Sequence, residues 1–251
     1  MVAPQKNIAI GLITTTSRIS LRMDKSLFDN DLRIEREIAK YLDVYLYRSP
    51  LFSKAIRTPN EADQKIGCDI ILSSQEYGLE SAIVDEKATI HYINQDISTF
   101  AFELSSKSKN SDERVPGWFL DDRKKTEAYV LIWPFVHQRD VRGRFDSMTC
   151  QDISGVRYLV VKRAKIRAYL SKRGFSKQVL LDKAAEIAYK GLDGRLDIKS
   201  ENEEFHFYYY SSLEYAEKPV NLVIDRCTLW YLADKKGGII GNPAQSRIRD
   251  W

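Results

Sequence analysis

The chain has 251 residues, and its 39 basic and 35 acidic side chains give a formal net charge of only +4. Hydrophobic residues make up 43% and charged residues 29%, an ordinary globular composition that supports a substantial core in one large domain or in a core with a smaller appendage. The three cysteines are far apart and form no CxxC pair, which argues against a thiolate zinc site and a disulfide framework.

The same features predict the compartment. A short apolar run near the N-terminus, Ile8–Ile13, lacks the length of a signal-peptide core and a small-residue cleavage site. No stretch reaches the roughly 18 apolar residues that a membrane helix needs. We therefore expect a cytoplasmic protein in a reducing compartment, with no membrane partner.

The first predicted element is a helix over residues 29–46. Ile34, Ile38 and Leu42 recur there at helical spacing, and Asp29, Asn30 or Asp31 can cap its start. Short strand-like segments follow a polar loop. One of them, Ala128–Val136, is apolar almost throughout, which predicts a buried strand. The predicted strands of this half are Ile70–Leu72, Ala82–Val84, Thr99–Leu104 and Ala128–Val136, with a surface loop over Ser105–Arg114.

Residues 137–155 are polar and irregular, so we predict a boundary there between a core, residues 1–136, and a basic C-terminal α/β region, residues 137–251. The elements predicted beyond it are strands over Tyr158–Val161, Phe205–Tyr210 and Asn221–Ile224, and helices over Arg163–Lys172, Lys177–Lys190 and Thr228–Lys235. The Gly-rich stretch from Gly237 is predicted to be a turn and the start of a loose or surface-docked tail.

Two acidic positions and a lysine form the chemically informative pattern. Asp85 and Lys87 are two residues apart on a predicted strand, so they share a face, while Glu86 points to the other. Asp69, at the start of the preceding strand, can supply a second carboxylate. Phosphodiester hydrolysis brings two anions together, and a divalent cation held by one or two carboxylates is suited to that task.

Gly67-Cys68-Asp69 followed by Asp85-Glu86-Lys87 resembles the PD-(D/E)xK nuclease superfamily over about residues 27–136, although Cys68 stands where the family name has proline. The resemblance implies a restriction-endonuclease-like α/β core, in which helices flank a central mixed four-stranded sheet. It also implies that Asp69 and Asp85 bind magnesium or manganese, that the carbonyl of Glu86 can reach the metal, and that Lys87 orients the attacking water.

An acidic residue of the first core helix often joins the metal site in that superfamily. The predicted helix offers Glu35 and Glu37, and we favour Glu35 because it shares a face with Ile38 and Leu42, while both stay open. Glu103 is a weaker candidate from a later strand, with an ion pair as the equally good alternative. Trp118 is interpreted mainly as a core or loop anchor, and stacking on a base is the minor alternative.

A basic segment from Arg139 to Lys177 carries eleven basic and three acidic residues, which favours contacts to nucleic-acid phosphates over an ordinary solvated helix face. The candidate phosphate contacts are Arg139, Arg142, Arg144, Lys162, Arg163, Arg167, Lys172 and Arg173.

The sequence therefore predicts a metal-dependent endonuclease acting on DNA. RNA stays open as a substrate because nothing in the sequence reads a 2′-hydroxyl. Many such enzymes dimerise, so a homodimer is compatible with the resemblance. One rival hypothesis is a catalytically weak nucleic-acid-binding protein on the same fold, and another is an assembly protein whose charged clusters are ordinary surface.

Overall fold

The chain forms two β-sheets with helices packed against them. The computed structural model describes residues 15–108, 113–137, 145, 147–198, 204–210, 217–234 and 236–241, with backbone only over 15–29 and at 61 and 64. The helices are α1 (Thr15–Tyr45), α2 (Glu61–Lys65), α3 (Arg163–Lys172), α4 (Lys177–Lys190) and α5 (Arg226–Leu232). The strands are β1 (Lys54–Arg57), β2 (Ile70–Ser74), β3 (Leu79–Ala88), β4 (Thr99–Lys107), β5 (Arg114–Pro116), β6 (Ala128–Val136), β7 (Ile153–Lys162), β8 (Gly194–Asp197), β9 (Phe205–Tyr209), β10 (Val220–Asp225) and β11 (Gly237–Gly241).

The first sheet is mixed. Over the described ranges its strand order is β1-β2-β3-β6-β7-β11, and every neighbouring pair is antiparallel except β3 and β6. A parallel pair needs a crossover connection. Here the crossover between β3 and β6 includes β4 and β5, which belong to the second sheet. A mixed α/β architecture is thus confirmed.

Helix α1 covers one face of the first sheet. Its buried stripe includes Ile34, Ile38 and Leu42, which lie at successive i, i+4 positions and pack with inward-facing sheet residues such as Val84 and Val130. The helix predicted over 29–46 is confirmed, although it ends at Tyr45 and its backbone begins much earlier, at Thr15.

The second sheet, in the order β5-β4-β10-β9-β8, covers the opposite face. Large side chains of β6, including Tyr129 and Trp133, pack there against Phe102 of β4 and Leu222 of β10. All nine positions of β6 are buried because the strand is covered on both faces, and this explains its almost continuous apolar sequence.

The two sheets interleave the two halves of the chain. Strands β7 and β11, both beyond position 136, belong to the first sheet, whereas β4 and β5 join the second sheet beside β8, β9 and β10. The predicted boundary at 136/137 therefore does not separate two sheets. The stretch from Gly237, predicted as a turn and loose tail, instead pairs as β11 with β7.

Beyond the predicted boundary, α3 and α4 have the predicted bounds, whereas the helix predicted over Thr228–Lys235 is observed as α5 over Arg226–Leu232. Within the described residues, none of the helices combines the length and apolar character of a membrane-spanning helix.

Candidate active site

Asp69 and Asp85 lie side by side at one end of the first sheet. Strands β2 and β3 are antiparallel with Ile70 opposite Val84, so the residue just before β2 stands beside Asp85. The Glu86 N–H donates to Asp69 Oδ2 at 2.8 Å, and the Asp85 side chain is close enough to raise the pKa of Asp69. Asp85 is only 3% exposed.

Lys87 lies on the same face as Asp85, as the strand period requires. Its Nζ donates to Asp85 Oδ1 at 2.6 Å. Burial alone would lower the pKa of Lys87, but the charges of Asp85, Asp69 and Glu35 outweigh it and raise that pKa above its ordinary value. Lys87 therefore keeps its proton at neutral pH and acts as a fixed positive charge.

Three carboxyl groups, those of Asp85, Asp69 and Glu35, surround Lys87. Burial and then the neighbouring Asp85 raise the pKa of Asp69 to about 8. Burial also raises the pKa of Glu35, although the charge of Lys87 opposes the shift. Two carboxylates this close repel each other when both are ionised, and a cation at this position would relieve that repulsion.

The structure separates the two helix candidates, Glu35 and Glu37. Glu35 interacts electrostatically with Lys87 and Asp85, so it belongs to the same cluster, and its side chain stays accessible to solvent. Glu37 instead accepts hydrogen bonds from the Cys150 N–H at 2.9 Å and from Lys40 Nζ at 2.6 Å. Glu37 thus fastens α1 to the segment before β7, and of the two helix candidates it is Glu35 that lies within electrostatic range of Lys87 and Asp85.

Glu86 points to the opposite face of β3, as its position predicts. Tyr47 Oη donates to Glu86 Oε1 at 2.6 Å, and Arg57 Nη1 donates to Glu86 Oε2 at 2.6 Å. Arg57 also donates to Asp43 of α1 at 2.6 Å. The Glu86 side chain thus ties β1, β3 and α1 together, and a metal role for this residue rests on its main-chain carbonyl alone.

We expect Arg57→Ala to lower the free energy of unfolding by about 3 kcal/mol, because it leaves the largely buried Glu86 carboxylate without its cation. Denaturant unfolding monitored by circular dichroism measures the change. The control is Lys190→Ala, whose pair with Glu186 is solvent-exposed and should contribute less than about 1 kcal/mol. Equal effects from the two variants would contradict the assigned role of Arg57.

Aromatic and acidic side chains from the second sheet close over Lys87. The Trp118 ring centroid lies 5.4 Å from Lys87 Nζ. Gly117 permits this approach, since a Cβ there would stand 2.5 Å from the carbonyl oxygen of Glu103. Burial raises the pKa of Glu103, and Lys87 is among the charges that oppose the shift. Trp118 is thus an anchor of the turn and also a wall of the site.

A loop over residues 121–127, which the sequence did not single out, borders the site and carries three basic and three acidic side chains. The Lys125 N–H donates to the Ile66 carbonyl at 2.8 Å, and Thr126 Oγ1 donates to the Gly67 carbonyl at 2.8 Å. These bonds hold the loop against the turn that presents Asp69. The Arg123 side chain is 78% exposed although its guanidinium donates to Asp121 at 2.9 Å, and Lys125 is also exposed. In the sequence, the run Arg123-Lys124-Lys125 directly before a buried strand is the feature from which this loop could have been predicted.

The basic segment of helix α3 is largely neutralised by acidic residues from elsewhere in the chain. Arg163 is buried, and its guanidinium donates to the carbonyls of Phe119, Asp121 and Lys124. That burial argues against a phosphate contact at Arg163. The partners of the other basic residues are Asp122 for Arg167 and Lys177, Asp234 for Lys165, and Glu204 for Arg173.

The structure describes three further predicted phosphate contacts, Lys162, Arg167 and Lys172. Lys162 and Lys172 are exposed, and Lys162 lines an open cavity of about 570 Å³ between the start of β3 and helix α3. Arg167 lines the same cavity while it bonds to Asp122 and to the Phe119 carbonyl. Arg139, Arg142 and Arg144 lie outside the described residues.

The donor set suits a cation that needs few protein ligands. In the part of the chain that is described, no group of three or more His, Cys, Asp or Glu side chains is placed to hold a metal ion. Magnesium keeps several waters and is commonly held by one or two carboxylates. Asp69 and Asp85 meet that smaller requirement, and their raised negative charge density favours a cation.

No family model matches the sequence, and no curated protein or solved structure is similar enough to it to count as a match. The function is therefore argued from the site itself.

Proposed function

We propose that this protein is a metal-dependent nuclease that hydrolyses phosphodiester bonds in DNA, with Asp69, Asp85 and Lys87 at its active site. The observation that carries the proposal is the placement of two neighbouring aspartates and one protonated lysine on a single face of adjoining strands. The resemblance of this residue pattern to the PD-(D/E)xK superfamily and the mixed sheet around it support the same conclusion.

The protein side chains divide the work by charge. Asp69 and Asp85 would hold magnesium or manganese, which when bound neutralises phosphate charge and acidifies a water molecule. Lys87 holds its proton too firmly to be a general base. It is suited instead to orient the attacking water and to stabilise the negative charge that develops on the phosphate oxygens. Glu35 assists from the solvent side, where its carboxylate can accept a proton or a water hydrogen bond.

The first experiment incubates the purified protein with supercoiled plasmid, short DNA duplexes and RNA, in magnesium, in manganese and in EDTA. We expect nicking or cutting of DNA with either metal and none in EDTA. Cleavage of RNA but not of DNA would show that RNA is the substrate. Salt-sensitive binding without cleavage of any nucleic acid would overturn the nuclease proposal in favour of a binding protein. Neither binding nor cleavage would favour the assembly-protein hypothesis.

The exposed basic residues beside Asp69 are the proposed contacts to the nucleic-acid backbone. We expect the double variant Arg123→Ala, Lys125→Ala to weaken DNA binding and to reduce the slope of log K against log salt by about 1.8, since each lost phosphate contact removes about 0.9. Fluorescence anisotropy in EDTA, where no cleavage is expected, measures binding over a salt series. The matched control is Lys183→Ala, Lys190→Ala, because both lysines are exposed on α4. An unchanged slope in the first variant would exclude this loop from the interface.

A further inference from the structure

Tyr129 places a buried hydroxyl beside the site without a hydrogen-bond partner. The residue is fully buried in the middle layer, and its ring packs edge-on against Trp118 at 5.3 Å and Phe102 at 6.1 Å. Among the described residues, no group accepts from or donates to its hydroxyl. Strands β3 and β6 are parallel with Asp85 opposite Tyr129, so the two residues are immediate neighbours across the sheet.

Packing does not explain this hydroxyl. A buried hydroxyl without a partner costs stability, and phenylalanine would fill the same space without that cost. Two other buried tyrosines behave in the ordinary way. Tyr47 donates to Glu86, and Tyr158 shares a 2.9 Å hydrogen bond with Tyr77. Tyr129 therefore differs from them in carrying a polar group that the structure does not use.

The charges around Tyr129 indicate where the hydroxyl can act. Burial raises its pKa, and Asp85 raises it further while Arg163 and Lys87 oppose the shift. The hydroxyl thus stays protonated and serves as a donor. Asp85 lies opposite Tyr129 on the neighbouring strand, and the backbones of neighbouring strands are about 4.8 Å apart. The cationic partner of Asp85 is Lys87 Nζ.

Lys87 cannot serve Asp85 and a substrate phosphate equally well. When Lys87 turns towards the phosphate, Asp85 loses the N–H donor that it has in the metal-free protein, and a carboxylate oxygen that is buried and does not face the metal then needs another donor. We propose that Tyr129 is a positioning residue, whose hydroxyl donates to the Asp85 carboxylate when Lys87 engages the substrate. This inference rests on the proposed nuclease function and adds to it a residue outside the predicted motif.

The test compares Tyr129→Phe with Tyr158→Phe, which removes a hydroxyl from the same sheet on its other face. For Tyr129→Phe we expect kcat for DNA cleavage to fall by about tenfold or more while KM changes by less than about twofold. The Mn²⁺ concentration that gives half of the metal-induced rise in Tm, measured without DNA, should stay unchanged because Lys87 holds Asp85 in that state, and Tm in EDTA should stay unchanged or rise. For Tyr158→Phe we expect a lower Tm, because Tyr77 loses its partner, and unchanged cleavage.

The outcomes separate this inference from the proposed function. If the wild type cleaves DNA and Tyr129→Phe cleaves equally well, the role of Tyr129 is overturned and the nuclease proposal stands. If Tyr129→Phe loses activity together with a fall in Tm like that of Tyr158→Phe, its role is structural and the inference is also overturned. A wild type that cleaves no nucleic acid overturns both.

Discussion

Lys87→Ala is expected to reduce metal-dependent DNA cleavage by about a thousandfold or more, the largest effect on activity that we expect from one substitution. The variant removes the positive charge that stands 2.6 Å from Asp85 and that stays protonated under the charges of three carboxylates. Asp85→Asn should have an effect of similar size, because it keeps the shape of the side chain but removes the charge that would hold the metal.

Single-turnover cleavage of a labelled duplex in saturating magnesium measures both variants. Circular dichroism confirms that each is folded, which matters because Lys87→Ala leaves buried carboxylates without their cation. Lys54→Ala is the control, since this exposed lysine of β1 bonds only to Ser81 in the described contacts and should leave the rate unchanged. Near-wild-type rates in both Lys87→Ala and Asp85→Asn would show that the chemistry lies elsewhere in the protein.

Asp69→Asn is expected to stabilise the metal-free protein at about pH 8, by a free energy of unfolding on the order of 2 kcal/mol. Burial and Asp85 raise the pKa of Asp69 to about 8 in the folded protein. In the unfolded chain the carboxyl has its ordinary value of 3.8. Asparagine removes the charge repulsion and can still donate a hydrogen bond to Asp85.

The pH dependence follows from these two pKa values. Below about pH 4 the carboxyl is protonated in both states and costs nothing. Between about pH 4 and about pH 8 the folded protein binds a proton that the unfolded chain has released, so every rise in pH favours unfolding. The stabilisation by Asp69→Asn should therefore be small near pH 4 and reach its maximum near pH 8.

Thermal unfolding of wild type and variant in EDTA across this pH range gives the difference, since shifts of groups far from Asp69 cancel between the two proteins. In magnesium the order should reverse, because a cation that binds only the folded wild type stabilises it by mass action. If the variant were less stable than the wild type in EDTA at about pH 8, charge repulsion between Asp69 and Asp85 would not destabilise the metal-free protein, and the prediction would be wrong. Equal stabilisation of both by magnesium would place the metal at another site.

Local patterns in the sequence determined the elements and the relation between close neighbours. The spacing of Ile34, Ile38 and Leu42 predicts a helix with a buried stripe, and this stripe packs on the sheet as expected. The period of a strand puts Asp85 and Lys87 on one face and Glu86 on the other, where Arg57 and Tyr47 hold it. These features depend on backbone geometry within a few residues, so one sequence suffices to predict them.

Only the tertiary structure decided which distant residues meet. The pairing of β7 and β11 with the first sheet joins segments on both sides of position 136, and register between distant strands is not encoded in local periodicity. The choice of Glu35 over Glu37 depended on a contact between Glu37 and Cys150. In the sequence, Tyr129 is one of the residues of the apolar strand Ala128–Val136, and nothing in the local pattern distinguishes it from its neighbours.

The basic segment from Arg139 to Lys177 shows most clearly the difference between what the local sequence predicts and what the tertiary structure decides. Its eleven basic residues predict a surface for phosphates, but Asp122, Asp234 and Glu204 approach them from other parts of the chain. Charge along a sequence is a local count, whereas the electrostatic potential at a surface sums over every charge that the fold brings near. For that reason the sequence could indicate the aspartates and the lysine of the candidate site, whereas only the fold shows that the loop over residues 121–127 lies beside them.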